Sequence, residues 1–255
     1  MKIININNDF NNFKILNEKV GDILNKFPST KTFFDKYNID YCCNGRKVLK
    51  DTLKELNIDN QNIVNELIHD IQKACEFKSS NSDEVVKSTD FINKSSEEVI
   101  DFVINHFHEG LRKTMPEINA LILKIMRAHI KHHKQLFWKI HELFCKIKDI
   151  FEGHLILEEE NIFKAMIKFN NGELSKESEE YKTMIETITE AVDEHFIIGP
   201  TLKELASLTN NYSVPENSCE TVKKVYSELH KLQDHILAHT QIENNILFPR
   251  YLTQN

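Results

Sequence analysis

Two segments of the sequence place a histidine and a glutamate at the same helical spacing. His154 precedes Glu158 by four residues, His239 precedes Glu243 by four residues, and a phenylalanine follows each glutamate five residues later. Residues four apart lie on the same face of an α-helix, so each pair directs an imidazole and a carboxylate the same way. This repeated pattern predicts two pairs of metal-ligating side chains.

Two further histidines, His108 and His195, lie on other helical segments. Their spacing along the chain shows whether all four histidines can lie at the same height in a helical bundle. Two residues at the same height in an antiparallel helix pair are equidistant from the turn between them. The midpoints between successive histidines of the set fall at residues 131, 174.5 and 217. Composition independently predicts turns at 128–133, at Asn170-Asn171-Gly172 and at 215–218, and the midpoint 174.5 falls just after the second of these. Four helices therefore bring four histidines and two glutamates to one level.

This set of side chains favours a pair of iron ions. Imidazole and carboxylate ligands suit iron or manganese better than the thiolate-rich sites of structural zinc. Two carboxylates on opposite helices can bridge two metals while histidines fill the remaining positions, as in other helical bundles. A single His–Glu pair often arises by chance, and the agreement at three turns is what favours one site. The predicted metal ligands are His108, His154, Glu158, His195, His239 and Glu243.

The same geometry shows which other histidines lie at a different height from these four. His129 follows His108 by 21 residues, which is about 30 Å along a straight helix, so we expect it at the turn. His235 precedes His239 by one turn and is the best rival ligand, although a place beside the site or a channel fits it better. The sequence leaves open whether His129 or His235 assists the site.

The adjacent pair Cys42-Cys43 is the second unusual feature. A disulfide between neighbouring residues requires strained geometry, which makes a structural crosslink a poor explanation. The pair precedes Asn44-Gly45 and a helix predicted at roughly 46–56, whose N-terminal field would lower the pKa of a thiol. A further helix is predicted at roughly 60–76. An accessible dithiol here could bind metal, bind nitric oxide or exchange electrons. The alternative is a buried pair without a chemical role.

The rest of the sequence predicts helices. Six glycines and five prolines in 255 residues are roughly a third of the usual share, which argues against sandwiches, barrels and Gly-rich nucleotide loops. We predict an all-α protein in which a small helical domain precedes an up-down-up-down four-helix bundle. The predicted domains are 1–76 with the cysteine pair, a serine-rich linker at 77–95, and the bundle at 96–255.

Local signals refine the bundle prediction. Ser95 with Glu98 predicts a capping box at the start of the first long helix. Pro116 and the pair Gly199-Pro200 predict a kink or break in the first and third helices.

Composition also restricts the partners that the protein can bind and the cellular compartment that suits it. The formal charge of −7 argues against nucleic-acid binding. The apolar runs are too short for a membrane span, and the N-terminal residues lack the pattern of a secretory signal. Five cysteines without framework spacing predict a reducing cytoplasm.

The sequence resembles the repair of iron centres family over nearly its whole length. The N-terminal resemblance lies in FFDKYNIDYCCNG, and the hemerythrin-like resemblance lies in HFHEGLRKTMPEI, GHLILEEENIF, DEH and HTQIENNILFPR. The resemblance implies two non-haem iron ions with an oxo bridge, the four histidines as terminal ligands, Glu158 and Glu243 as bridging carboxylates, and Cys42 with Cys43 as the reactive pair. Asn44-Gly45 replaces a frequent Gly-Gly, and Phe163-Lys164 replaces a Phe-Pro, and neither departure touches a ligand.

Three functional hypotheses follow. The leading one is repair of iron–sulfur clusters damaged by nitrosative or oxidative stress, with damaged iron–sulfur proteins as partners and nitric oxide or oxygen as small ligands. The alternatives are an oxygen or nitric oxide sensing protein, which gives the cysteines no task, and a di-iron nitric oxide reductase. Enzymatic activity and a homodimer both remain open.

Overall fold

The computed structural model describes residues 15–58, 64–66, 68–70 and 90–252. These residues form helices and turns, and the nearest approach to a strand among them is one bridge between Lys19 and Val48. The predicted all-α class is therefore confirmed. No helix in the described part of the chain combines the length and apolar character needed to cross a membrane.

The N-terminal region folds as short helices around a small core. They are α1 (Val20–Lys26), a 3₁₀ turn (Pro28–Thr30), α2 (Lys31–Lys36) and α3 (Leu49–Glu55). Their buried residues include Ile23, Phe34 and Leu49. The predicted start of the third helix near residue 46 is wrong, because residues 44–47 form a turn and the helix begins at Leu49. Most of the helix predicted at 60–76, and residues 77–89 of the predicted linker, lie outside the described residues.

Four long helical runs follow, with π-helical segments inserted in three of them. The elements are α4 (Ser96–Phe102), a π segment (Val103–His108), α5 (Glu109–Leu157), a π segment (Glu158–Ile162), α6 (Phe163–Asn170), α7 (Glu179–Leu208), α8 (Glu220–Ile242), a π segment (Glu243–Leu247) and α9 (Pro249–Leu252). The first run begins at the predicted capping box, in which Ser95 and Glu98 exchange side-chain and backbone hydrogen bonds. The four-helix bundle is thus confirmed.

The turns between these runs lie where composition predicts them. His133 interrupts α5 with non-helical angles (φ −131°, ψ 28°), which separates the first two runs. Gly172 has φ +74°, a conformation that favours glycine, and Asn217 has φ 60°. Of the kink or break predicted at the prolines, the break does not occur, since Pro116 lies inside α5 and Pro200 inside α7. Buried residues on either side of each proline hold these helices in the core, which offsets the lost backbone donor.

The bundle core is apolar and fully buried over most of its length. Phe144, Phe151, Leu205 and Leu229 have no exposed surface. Such a core leaves a polar group little compensation unless it finds a partner. Polar side chains buried within this bundle therefore require a chemical explanation.

Contacts divide the chain into two compact units. The larger comprises Ser95–Thr240, and the smaller comprises Met1–Lys94 together with Gln241–Thr253. The limits at residues 76 and 95, proposed from composition, remain a prediction.

Candidate metal centre

Five buried polar side chains gather inside the bundle. We call His108, His154, Glu158, His195 and His239 the His–Glu cluster, and none of them is more than 1% exposed. His108 ends the first π segment, His154 lies in the last turn of α5, and Glu158 begins the second π segment. His195 lies in the middle of α7 and His239 in the last turn of α8. Each of the four helical runs thus contributes one histidine.

The histidines form two close pairs with one carboxylate between them. The Nε2 atoms of His108 and His239 are 3.1 Å apart, and those of His154 and His195 are 2.9 Å apart. Glu158 places Oε2 at 3.3 Å from Nε2 of His108 and Oε1 at 3.2 Å from Nε2 of His154. Its two oxygens therefore face different pairs, as a bridging carboxylate requires.

Glu243 follows His239 by one turn of the same continuous helical run, and its side chain is fully buried. The structure thus brings together His108, His154, Glu158, His195 and His239, and it places Glu243 one helical turn after His239. The role of all six residues as ligands remains a prediction.

The chemistry of these atoms fits cations. Neither oxygen of Glu158 has a hydrogen-bond partner, although both are completely buried. An ionised carboxylate in such surroundings is costly unless it is paired with positive charge or coordinates a metal. Imidazole nitrogens and carboxylate oxygens are also the ligands that non-haem iron accepts. The residues present therefore fit a pair of metal ions.

Two outer carboxylates orient the histidines. Nδ1 of His108 lies 2.6 Å from Oε1 of Glu159, and Nδ1 of His154 lies 2.6 Å from Oε2 of Glu194. Because a carboxylate only accepts hydrogen bonds, each Nδ1 carries a proton, and Nε2 is the ring atom that faces the cluster. Histidines that bind metals are commonly held in this way. Arg112 also contacts Oε1 of Glu159, at 2.8 Å.

Sequence patterns do not single out Glu159 and Glu194. Each is a direct neighbour of a predicted ligand, so it points about 100° away from that ligand around its own helix. Their partners lie on other helices, and no spacing within one helix could have revealed them.

The three π segments coincide with the predicted ligands. His108 is the last residue of one, and Glu158 and Glu243 each begin another. A π segment inserts a residue into an α-helix, and such insertions are frequent at functional sites. The insertions re-aim these side chains, and nothing in composition or periodicity marked them.

Burial and mutual contact set the protonation of the cluster. Burial by itself raises the pKa of Glu158, but attraction to His154 and contact with His108 outweigh it and hold that pKa well below its usual value. Burial lowers the pKa of His239 well below its usual value, and only the charge of Glu158 opposes this. The carboxylate is therefore ionised and His239 neutral, which are the forms that bind metal ions.

The two histidines left open by the sequence lie outside this group. His129 contacts residues at the turn, with its Nε2 3.4 Å from Sγ of Cys219 and its ring against His133 and Phe137. His235 is half-buried, and its Nε2 lies 3.1 Å from the carbonyl oxygen of Phe107.

The cysteine pair lies in a turn that we call the dithiol loop, residues 40–45. Cys42 and Cys43 are 5% and 7% exposed, and their Sγ atoms are 3.8 Å apart without a disulfide. Oδ1 of Asp40 accepts the backbone N–H groups of Cys42 and Cys43 at 3.2 and 2.9 Å. Asp40 and the two thiols also place ligand atoms within 4.8 Å of one another.

Of the two alternatives for the cysteine pair, the structure shows the buried one, and the predicted lowering of the thiol pKa is wrong for Cys42. Contact with Cys43, burial and the negative charge of Asp40 raise the pKa of Cys42 well above its usual value. The expected helix field is missing because α3 begins only at Leu49. Cys42 therefore rests as a buried, protonated thiol, and the thiol of Cys43 is buried beside it.

The dithiol loop is hydrogen-bonded to the segment that follows Glu243. Nδ2 of Asn244 donates to the carbonyl of Cys42 at 3.1 Å, and Nδ2 of Asn245 donates to that of Tyr41 at 3.0 Å. Gly45 makes room for Asn245, since an added Cβ would lie 2.4 Å from its Oδ1. The cysteine backbone is thus attached to the residue directly after a predicted ligand.

Comparison with known families bears on this geometry. The family model described as the hemerythrin HHE cation binding domain matches residues 99–251, more than half of the chain. The chain belongs to this family. A second family model, ScdA_N, described as a domain of unknown function, matches residues 16–72 of this hemerythrin-family chain.

Relatives with assigned names match nearly the full length of this hemerythrin-family chain. An iron-sulfur cluster repair protein ScdA from Staphylococcus haemolyticus is 26% identical over 93% of this chain and 99% of its own. A probable iron-sulfur cluster repair protein from Haemophilus influenzae is 29% identical over 93% and 97%. An iron-sulfur cluster repair protein YtfE from Shigella boydii is 26% identical over 92% and 96%. The resemblance to the repair of iron centres family is thereby confirmed.

Proposed function

We propose that this protein uses two non-haem iron ions to repair iron–sulfur clusters damaged by nitrosative or oxidative stress. The observation that carries the proposal is the His–Glu cluster, in which an ionised, fully buried Glu158 faces two pairs of histidines. The names of the full-length relatives supply the cellular task.

Each side chain of the centre has a distinct task in this proposal. Glu158 would hold the two ions together with the two histidine pairs that face it, and Glu243 would add the second carboxylate. Glu159 and Glu194 hold His108 and His154 by their Nδ1 protons, so that both rings keep one orientation. When bound, the ions supply a labile iron pool or a binding position for nitric oxide or oxygen.

The dithiol loop provides an exchange position for iron as cargo. Asp40, Cys42 and Cys43 offer one oxygen and two sulfur atoms, which together suit a cation that prefers soft ligands. Two protons leave the thiols when the cation enters, because the thiolate is the ligand. The hydrogen bond from Asn244 to Cys42 supports this role, since it connects the loop to the segment that begins with Glu243.

The environment in this proposal is the bacterial cytoplasm. Among the described residues, Cys42, Cys43, Cys145 and Cys219 form no disulfide, as a reducing compartment favours. The clients are damaged iron–sulfur proteins, and a homodimer stays open.

The first test is the metal content of protein purified without oxygen. We expect about two iron ions per chain, which is the number that a carboxylate-bridged bundle site holds. Glu158→Leu should lose both ions, whereas Glu160→Leu, which changes an exposed glutamate of the same π segment, should retain them. Full iron content in Glu158→Leu would refute the bridging role.

The second test separates the repair role from simple iron binding. The double variant Cys42→Ser, Cys43→Ser should keep its iron but lose the ability to restore a damaged iron–sulfur enzyme. Cys219→Ser removes an exposed thiol elsewhere and should behave like the unchanged protein. Unchanged repair by the double variant would remove the cysteines from the mechanism. Reversible gas binding without repair would instead favour a sensing protein, and turnover of nitric oxide to nitrous oxide would favour a reductase.

A further inference from the structure

His235 makes contacts that neither packing nor metal binding explains. It lies on α8 one turn before His239 and is half-buried. Its Nε2 is 3.1 Å from the carbonyl oxygen of Phe107, with that N–H donating. This carbonyl belongs to the peptide bond between Phe107 and His108, so the contact holds the peptide plane that leads directly into a predicted ligand.

The carbonyl lies within the π segment Val103–His108. In this segment the backbone N–H of Glu109 bonds to the carbonyl of Ile104, one residue further back than in an α-helix. A π segment competes with the ordinary α-helical register, and it persists where surrounding contacts hold it. A donor from another helix, aimed at a carbonyl inside the insertion, is such a contact.

The chain also makes room for this ring. A Cβ added at Gly110 would lie 2.9 Å from both Cε1 and Nε2 of His235. The ring of Phe107 meets His235 edge-on at 5.0 Å between centroids, and the ring of His106 lies at 5.6 Å. The imidazole therefore sits against the backbone from Phe107 to Gly110, which spans the end of the π segment.

The ring is also in the right chemical form. Burial lowers the pKa of His235, and the neighbouring His106, His239 and His108 lower it further, against the opposing effect of the Phe107 hydrogen bond. A neutral imidazole carries one N–H, and here that proton is on Nε2.

We propose that His235 is a positioning residue for His108: its hydrogen bond to the Phe107 carbonyl holds the π segment Val103–His108 in register and so fixes where the His108 ring points. The consequence for metal retention rests on the proposed function. The effect on the backbone does not depend on the proposed function, and it can be measured in metal-free protein.

The direct test is amide hydrogen exchange of the metal-free protein over residues 103–112. Because exchange reports local opening, we expect His235→Ala to speed exchange there by about tenfold or more. His235→Gln retains an N–H donor on a side chain of similar reach, and it should return exchange to within about threefold of the unchanged protein. His230→Ala is the control, since His230 lies on the same helix but stacks on Tyr212.

The second readout is the rate at which iron(II) leaves the loaded protein for an excess of chelator without oxygen. Changes beside metal ligands commonly cost 10–100-fold in affinity, and because this contact acts through the backbone we expect about tenfold faster release from His235→Ala. Gly110→Ala attacks the same contact from the opposite side by displacing the ring. It should reproduce both effects, and it replaces His235→Ala if that variant does not fold.

The outcomes separate this inference from the proposed function. Unchanged exchange in His235→Ala, or failure of His235→Gln to restore it, overturns the inference, and so does faster exchange with unchanged iron release. If the unchanged protein binds no iron, the proposed function fails, while the exchange data still decide whether His235 holds the π segment.

Discussion

Replacing Glu194 by glutamine would change one oxygen for an amide nitrogen at a residue that contacts the predicted ligand His154 from outside the His–Glu cluster. Glu194 holds Nδ1 of His154 at 2.6 Å. The glutamine carbonyl can still accept this hydrogen bond, but the negative charge is gone. A neutral acceptor polarises the imidazole less, so Nε2 of His154 becomes a poorer donor to a metal.

The size of the expected loss in metal affinity follows from the contact between Glu194 and His154. Loss of a carboxylate that holds a metal-binding histidine costs 10–100-fold in affinity. The side chain of Glu194 is 36% exposed, so water already weakens its influence and places the effect at the lower end. We therefore expect about a tenfold loss, which corresponds to about 1.4 kcal/mol.

The assay is competition for iron(II) between the metal-free protein and a coloured chelator without oxygen. Glu190→Gln is the matched control, because Glu190 is an exposed glutamate one turn earlier on α7. The affinity of Glu190→Gln should equal that of the unchanged protein. If Glu194→Gln also binds iron within twofold of the unchanged protein while its helical content is intact, the orienting role of Glu194 is refuted.

Three further predictions concern other parts of the molecule. The pKa of Cys42 is raised, and the thiolate is the form that reacts. Cys42 should therefore react with iodoacetamide only at a pH well above that at which the exposed Cys219 reacts. Equal reaction rates of the two thiols at pH 8 would contradict this. Gly45→Ala should lower stability by about 1–3 kcal/mol through overpacking against Asn245, measured by urea unfolding; an unchanged midpoint would contradict the close fit. Chelation should lower the thermal midpoint of the unchanged protein but not of Glu158→Leu, because only native protein binds the metal; equal shifts would place the metal elsewhere.

The common height of the four histidines in the bundle could be predicted because an α-helix rises by a fixed distance per residue. Once His133 and Gly172 are assigned to turns, the equal distances along the chain fix which residues meet. The prolines were harder to interpret. Their local effect is unfavourable, but the outcome depends on packing around the helix, and the sequence does not show that packing.

The surroundings of the cysteine pair could not be predicted for a different reason. Its loop is covered and held by Asn244, 202 residues away from Cys42 in the sequence. Local patterns around Cys42 and Cys43 predict the turn but not what lies on it. The pKa of Cys42 depends on its contact with Cys43, on its burial and on Asp40, so the predicted direction of the pKa shift was wrong.

The π segments have a consequence for how the length of this chain can vary. Deleting one residue from Val103–His108 would let the five residues that remain form an ordinary α-helix. Because the wider π turn takes up the extra residue, α4 and the capping box at Ser95 would keep nearly the same face toward the core after the deletion. A single-residue gap in this segment is therefore compatible with the buried face of α4, and what it removes is the local backbone geometry that leads into His108.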